Sequence, residues 1–361
     1  MIPIVKPFIP PSDDLMPALE SVLYSGYIAQ GDRVDFFEEK LRLYFNTNRL
    51  VTVNSGTSAL HLALCLIGVS KGDEVISTPL TAEPTNTAIL QTGAKIVWAD
   101  VEPTTGLISV ESVERLISDR TKAIMVVHYA GMVADMNSFS VLKQKYGIPI
   151  IEDCAHAFGA EYRNEKLGFY SDYAVYSFQA IKHITTIDGG LLIVNTEDDY
   201  ERARKLRWFG LDKSTPRLEN NIRESGYKYH MNNVNAEIGI IQMKYLERNV
   251  QRYIDNGNYF DKTLESVDGI TTIDYSKETL PSYWLFTCLV ENRESFIDHM
   301  NANGIACSTL HLRNDRHSVF GKKADLPGLD DFYSKFIHWG CGHWIDTADR
   351  QRIVEVVKSG W

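Results

Sequence analysis

Between about residue 50 and residue 195, short runs rich in β-branched residues alternate with amphipathic stretches. The runs are Leu50–Asn54, Glu74–Ser77, Lys95–Asp100, Ala123–His128, Pro149–Asp153 and Ala174–Phe178. Runs this short and this apolar offer no face to water, so they predict strands covered on both sides. Strands of that kind joined by helices form an α/β sheet that is mostly parallel. Thr57–Ile67 and Val110–Ile117, lying between the runs, carry apolar residues at helical spacing. Ser58–Leu64 consists largely of helix-favouring residues.

A chain of 361 residues is too long for one small core and suits a large domain with a smaller companion. A long helical pattern over Asn235–Tyr259 leads out of the sheet region, so the expected division is 1–247 for the large domain and 248–361 for the small one. Within the latter, the strand-like Ser282–Val290 and Ala306–Leu312 flank the helix-like Ser295–Asn303. Thr347–Lys358 closes this compact α+β unit as a helix.

The formal charge of -10, with no basic block to offset it, argues against general nucleic-acid binding. Prolines and acids occupy the N-terminus where a secretory signal needs a basic start and an unbroken apolar run, which predicts a cytoplasmic protein. No run of ~18 apolar residues predicts a membrane span. The five cysteines are scattered without a CxxC pair, so reduced thiols are expected, with neither disulfides nor a metal centre.

Three places carry candidate chemistry. Ser55-Gly56-Thr57-Ser58 follows a strand and opens a helix, where amide donors and the helix dipole favour an anion. Asp153 ends a buried strand, at the edge where α/β sheets bind ligands. Lys182 sits in Ser177–Gly190, between an apolar strand and the next strand, Leu191–Asn195. Apolar surroundings there favour the neutral, nucleophilic amine. Taken singly, these read more simply as a helix cap, a surface acid and a solvated lysine. Together they supply what pyridoxal phosphate needs: a phosphate cup, an acid for the ring nitrogen and an amine for the aldehyde.

With these residues the chain resembles the DegT/DnrJ-type sugar aminotransferases, which have the aspartate-aminotransferase fold (fold type I). The matching segments are Ser25–Gly31, Ser55–Leu60, Val127–Gly131 with Ala134–Met136, Glu152–His156 and Ser177–Gly190. The resemblance implies a mixed, mostly parallel seven-stranded sheet flanked by helices, with a smaller C-terminal α+β domain. It makes Lys182 the Schiff-base lysine and Asp153 the partner of the ring nitrogen. Gly56, Thr57 and Ser177 become phosphate contacts, and His156 a group near the phenolic oxygen. Tyr27, His311 and Arg313 fall in segments that border the substrate pocket of the family.

Two positions depart from the family pattern. Ala82 stands where many members stack an aromatic ring on the cofactor. In Gly226–Asn232, which is similar to the family's Gly-Tyr-Asn-Tyr-Arg-Met run, Lys228 replaces the asparagine that reaches the neighbouring subunit's phosphate. A cation facing a phosphate dianion is sound chemistry, so Lys228 is kept as a phosphate contact. The implied active unit is a homodimer with shared sites.

The implied reaction takes an amino group from L-glutamate, through the pyridoxamine form, to a keto-sugar, usually nucleotide-linked, for amino-sugar and surface-polysaccharide biosynthesis. Relatives that remove a hydroxyl instead carry histidine in place of the lysine, so Lys182 favours amination. A non-nucleotide keto-acid sugar stays open through Ala82 and Lys228. A nicotinamide oxidoreductase lacks its GxGxxG turn here.

Overall fold

The computed structural model describes residues 1–361. Seven strands form the main sheet: β1 Leu50–Val53, β2 Glu74–Ser77, β3 Lys95–Trp98, β4 Thr121–Val127, β5 Ile150–Asp153, β6 Tyr173–Ser177 and β7 Gly190–Val194. Their order is β1-β7-β6-β5-β4-β2-β3. All neighbours are parallel except β7, which runs antiparallel to both β1 and β6. Each predicted run in this region is a strand, with ends shifted by at most two residues.

Both faces of the sheet are covered. Along β4, Ile124 and Val126 enter one apolar cluster with the helices Asp32–Phe45 and Met136–Tyr146, while Ala123, Met125 and Val127 enter another with Gly56–Ile67. Burying each of the Ile, Val and Met side chains among them contributes about 1.5–3 kcal/mol, which fixes the strand on both sides at once.

The single reversed strand decides where the site forms. Gly190, the first residue of β7, pairs with Val53 at the end of β1 and with Ser177 at the end of β6. The carboxyl ends of β1, β5 and β6 therefore share one edge with the loop that carries Lys182. A Cβ on Gly190 would lie 2.5 Å from the Ser55 carbonyl oxygen, so only glycine allows this approach.

A second, antiparallel sheet comprises β8 Ile270–Thr272, β9 Phe286–Val290, β10 Cys307–Ser308 and β11 Phe336–Trp339, in the order β8-β9-β11-β10. The expected helix over Asn235–Tyr259 is two helices, Asn233–Met243 and Leu246–Leu264. The turn between them tightens through i→i+3 bonds from Lys244 and Tyr245, and the Tyr245 hydroxyl donates to Asp14. The N-terminus lies on the C-terminal sheet: the Ile2 N–H donates to the Gly304 carbonyl and its own carbonyl accepts from Ala306. Pairing at that range leaves no periodic signal in a four-residue segment.

Segment 282–285, just before β9, crosses back to the main sheet. Its Ser282 N–H donates to Gly131 and its Leu285 N–H to Ala130. Gly131 has φ +93, and a Cβ there would meet the Trp284 nitrogen at 2.7 Å. Gly131→Ala is expected to cost about 2 kcal/mol or more, from the left-handed backbone and the clash together. A thermal melt should show a lower Tm; an unchanged Tm would mean that this strap is not held against Gly131.

Candidate active site

The Ser55 side chain caps the Gly56–Ile67 helix by accepting the Ser58 N–H at 3.0 Å. That leaves the Gly56 and Thr57 N–H groups, the first two of the helix, with no partner in the chain. Packing holds them in place, because a Cβ on Gly56 would lie 3.0 Å from that of Ser177. Two free amides, a helix start and the Ser177 hydroxyl can bind a phosphate dianion.

Asp153 ends β5 on the same cavity, which has a volume of about 360 Å³. The Thr85 hydroxyl donates to one carboxylate oxygen at 2.7 Å, and the Ala155 N–H to the other at 3.0 Å. Thr81 bonds to Thr85 at 2.8 Å, so the carboxylate is fixed by a buried relay. Burial raises the Asp153 pKa, more than these hydrogen bonds and the nearby Lys182 lower it. A cationic N–H arriving from the cavity would find an acceptor that lacks a close cationic partner.

Lys182 lies in the loop between β6 and β7, and its Nζ sits 3.9 Å from the centre of the Trp284 ring. Burial brings its pKa down to about 7, against the opposing pull of Asp153. The ring face also favours an ammonium, but such contacts contribute only ~0.5–2 kcal/mol. Near neutral pH a large fraction of this amine is therefore uncharged and nucleophilic.

His156 stacks on Trp284, with ring centres 3.9 Å apart and planes 23° from parallel. Its Nδ1 accepts the Ala130 N–H at 3.3 Å, so the proton is on Nε2. Burial, then the charge of Lys182, push its pKa well below the usual histidine value and keep the ring neutral. His311 also lines the cavity, near Glu83, and burial lowers its pKa.

Of the residues singled out from sequence, Gly56, Thr57, Asp153, His156, Ser177, Lys182 and His311 line this one cavity, and Ala82 lies in its wall. Three others do not. Arg313, expected from its segment to border the substrate pocket, does not line the cavity. It is buried, and its guanidinium grips both oxygens of Asp315, at 2.7 and 2.8 Å, as well as Asp330. Tyr27 is 78% exposed and borders a separate hollow beside Arg33 and Asn233. Lys228 is exposed outside the cavity, while its carbonyl accepts from Asn54, the residue before the cup. Sequence reasoning missed Thr85, visible only as one hydroxyl in a polar helix start, and Trp284.

A model of the DegT/DnrJ/EryC1/StrS aminotransferase family matches residues 12–358. The chain is 32% identical to the UDP-4-amino-4,6-dideoxy-N-acetyl-beta-L-altrosamine transaminase of Campylobacter jejuni, covering 97% of this chain and 96% of the relative. Its structure is similar to that of the sugar aminotransferase CalS13 of Micromonospora echinospora, with a TM-score of 0.96, 34% identity and 100% of each chain covered. It is also similar to Spr1654 of Streptococcus pneumoniae, solved in a PLP form and a PMP form. For both, the TM-score is 0.91 and the identity 25%; 99% of this chain is covered, with 98% and 97% of the respective neighbours.

An amine with a pKa of about 7 is distinguishable from surface lysines, whose neutral fraction at pH 7 is on the order of a thousandth. Reductive methylation at pH 7 of the full chain, freed of any cofactor, followed by peptide mass analysis, should label Lys182 ahead of the other lysines. The Lys182 rate should fall about tenfold per unit below its pKa and level off above it. Uniform labelling would contradict the geometry described.

Proposed function

The chain belongs to the DegT/DnrJ/EryC1/StrS aminotransferase family, and on that premise we propose that it moves the amino group of L-glutamate onto a keto-sugar. The acceptor we propose is a nucleotide-linked 4-keto-6-deoxy or 3-keto sugar, on a route to an amino sugar of a surface polysaccharide. The similar Campylobacter jejuni transaminase, whose name specifies a UDP-linked 4-amino-4,6-dideoxy sugar, supports this choice. The observation that carries the reading is the meeting of Lys182, Asp153 and the unpaired Gly56 and Thr57 amides on one cavity.

These residues fit pyridoxal 5'-phosphate, which when bound supplies an aldehyde that captures amines and a ring that withdraws electrons from the adjacent carbon. The Gly56 and Thr57 N–H groups and the Ser177 hydroxyl would hold the phosphate. Asp153, fixed by Thr85 and Ala155, would keep a proton on the ring nitrogen. Lys182, as the free amine, would hold the cofactor through its aldehyde carbon, and its Nζ would be the base that takes a proton from the substrate carbon and returns it. His156 offers its Nε2–H near the phenolic oxygen. In a homodimer, Lys228 reaches the phosphate of the partner's site. We divide the chain into a cofactor domain, 1–247, and a small domain, 248–361, which supplies His311 to the cavity wall.

The test is incubation with L-glutamate and a panel of nucleotide-linked keto-sugars, with products read by mass spectrometry. An amino sugar and 2-oxoglutarate are expected. Lys182→Ala should abolish turnover, and Asp153→Asn should bind cofactor but turn over at least ~100-fold more slowly. A deoxy sugar without new nitrogen would overturn the reading.

A further inference from the structure

Trp284 has no role in the scheme above, yet two of the cavity's reactive side chains converge on it. It is 1% exposed and comes from segment 282–285, about a hundred residues beyond Lys182 in the chain. The Lys182 Nζ lies 3.9 Å from its ring centre, and His156 stacks on the same indole with ring centres 3.9 Å apart. The Trp284 Nε1–H donates to the Ile181 carbonyl at 2.8 Å, at the peptide bond that leads into Lys182. On the other side of the lysine, the His183 Nε2–H donates to the Ser282 carbonyl at 3.0 Å. The residues that flank Lys182 are thus both tied to one short strap.

We propose that Trp284 is the positioning residue for Lys182: its indole keeps water from the amine, and its Nε1–H fixes the turn that aims Nζ into the cavity. This rests on the reading of Lys182 as the cofactor-binding amine. An indole removed from this wall leaves space for water beside Nζ, and hydration favours the ammonium. Loss of the ring's attraction for an ammonium works the other way, but burial is the larger influence on this amine. A phenyl ring, though smaller, keeps an apolar aromatic face beside Nζ and lacks the Nε1–H.

The experiment is reductive methylation with formaldehyde and cyanoborohydride of the full chain, freed of cofactor, over pH 5 to 10, read at the Lys182 peptide. Thermal melts of each protein confirm folding. In Trp284→Leu the midpoint of the Lys182 profile should move up by at least about one pH unit, a tenfold loss of rate below it. In Trp284→Phe the midpoint should return to the wild-type value while the plateau rate falls about threefold or more, through the lost tether. A folded Trp284→Leu with the wild-type midpoint overturns the inference alone. If Trp284→Leu does not fold, Trp284→Phe decides, and a wild-type plateau overturns the tether. Wild-type protein in which Lys182 is labelled no faster than surface lysines overturns the reading of Lys182 and this inference with it.

Discussion

An amine stripped of water and given only one carboxylate nearby holds a proton poorly. At Lys182 burial outweighs the pull of Asp153, which leaves a pKa of about 7 where a free lysine has 10.5. The folded chain therefore binds fewer protons here than the unfolded chain between about pH 7 and pH 10.5. In that window stability rises with pH, and below it the cost of a buried ammonium is fully present. The walls of the cavity that holds this amine are built from the ends of regular elements. They are the ends of β5 and β6 and the start of the Gly56–Ile67 helix, and the indole of Trp284 packs against Lys182 beside them.

The reversal of β7 and the crossing of the 282–285 strap are the two topological events that make such walls possible. β7 places the Lys182 loop over the ends of β1 and β6, and Gly190 allows the strand to close on the helix start. The strap brings a tryptophan from beside the second sheet into contact with Lys182, bonded to Ala130 and Gly131 on the way. Ala130 in turn donates to His156. One continuous set of contacts thus relates the small sheet, the ring of His156 and the reactive amine.

The main sheet was legible because its inner strands are buried on both faces and had to be largely apolar runs, whatever their neighbours; the edge strand β3 is partly exposed. The cavity residues Asp153 and Ser177 were legible because each ends such a run, Gly56 because it opens the helix that follows one, and Lys182 because its loop joins two of them. Arg313 and Tyr27 were chosen from the segments in which they lie, and a segment near a pocket does not decide which way a side chain turns. Arg313 turned to Asp315 and Asp330 because a buried guanidinium must be paired. Trp284 and Ile2 meet partners far along the chain, so no local period or motif announces them. The break at Tyr245, whose hydroxyl bonds to Asp14, is not revealed by helical spacing alone.

The central claim is that one amine, that of Lys182, carries the cofactor of this chain. Incubation of the purified protein with pyridoxal 5'-phosphate, reduction with borohydride and mass mapping of the digest tests it without any knowledge of the sugar. The account predicts one stoichiometric phosphopyridoxyl adduct on the peptide that contains Lys182, removed by prior addition of L-glutamate. An adduct spread over surface lysines, or fixed at another single lysine with Lys182 unmodified, would contradict it.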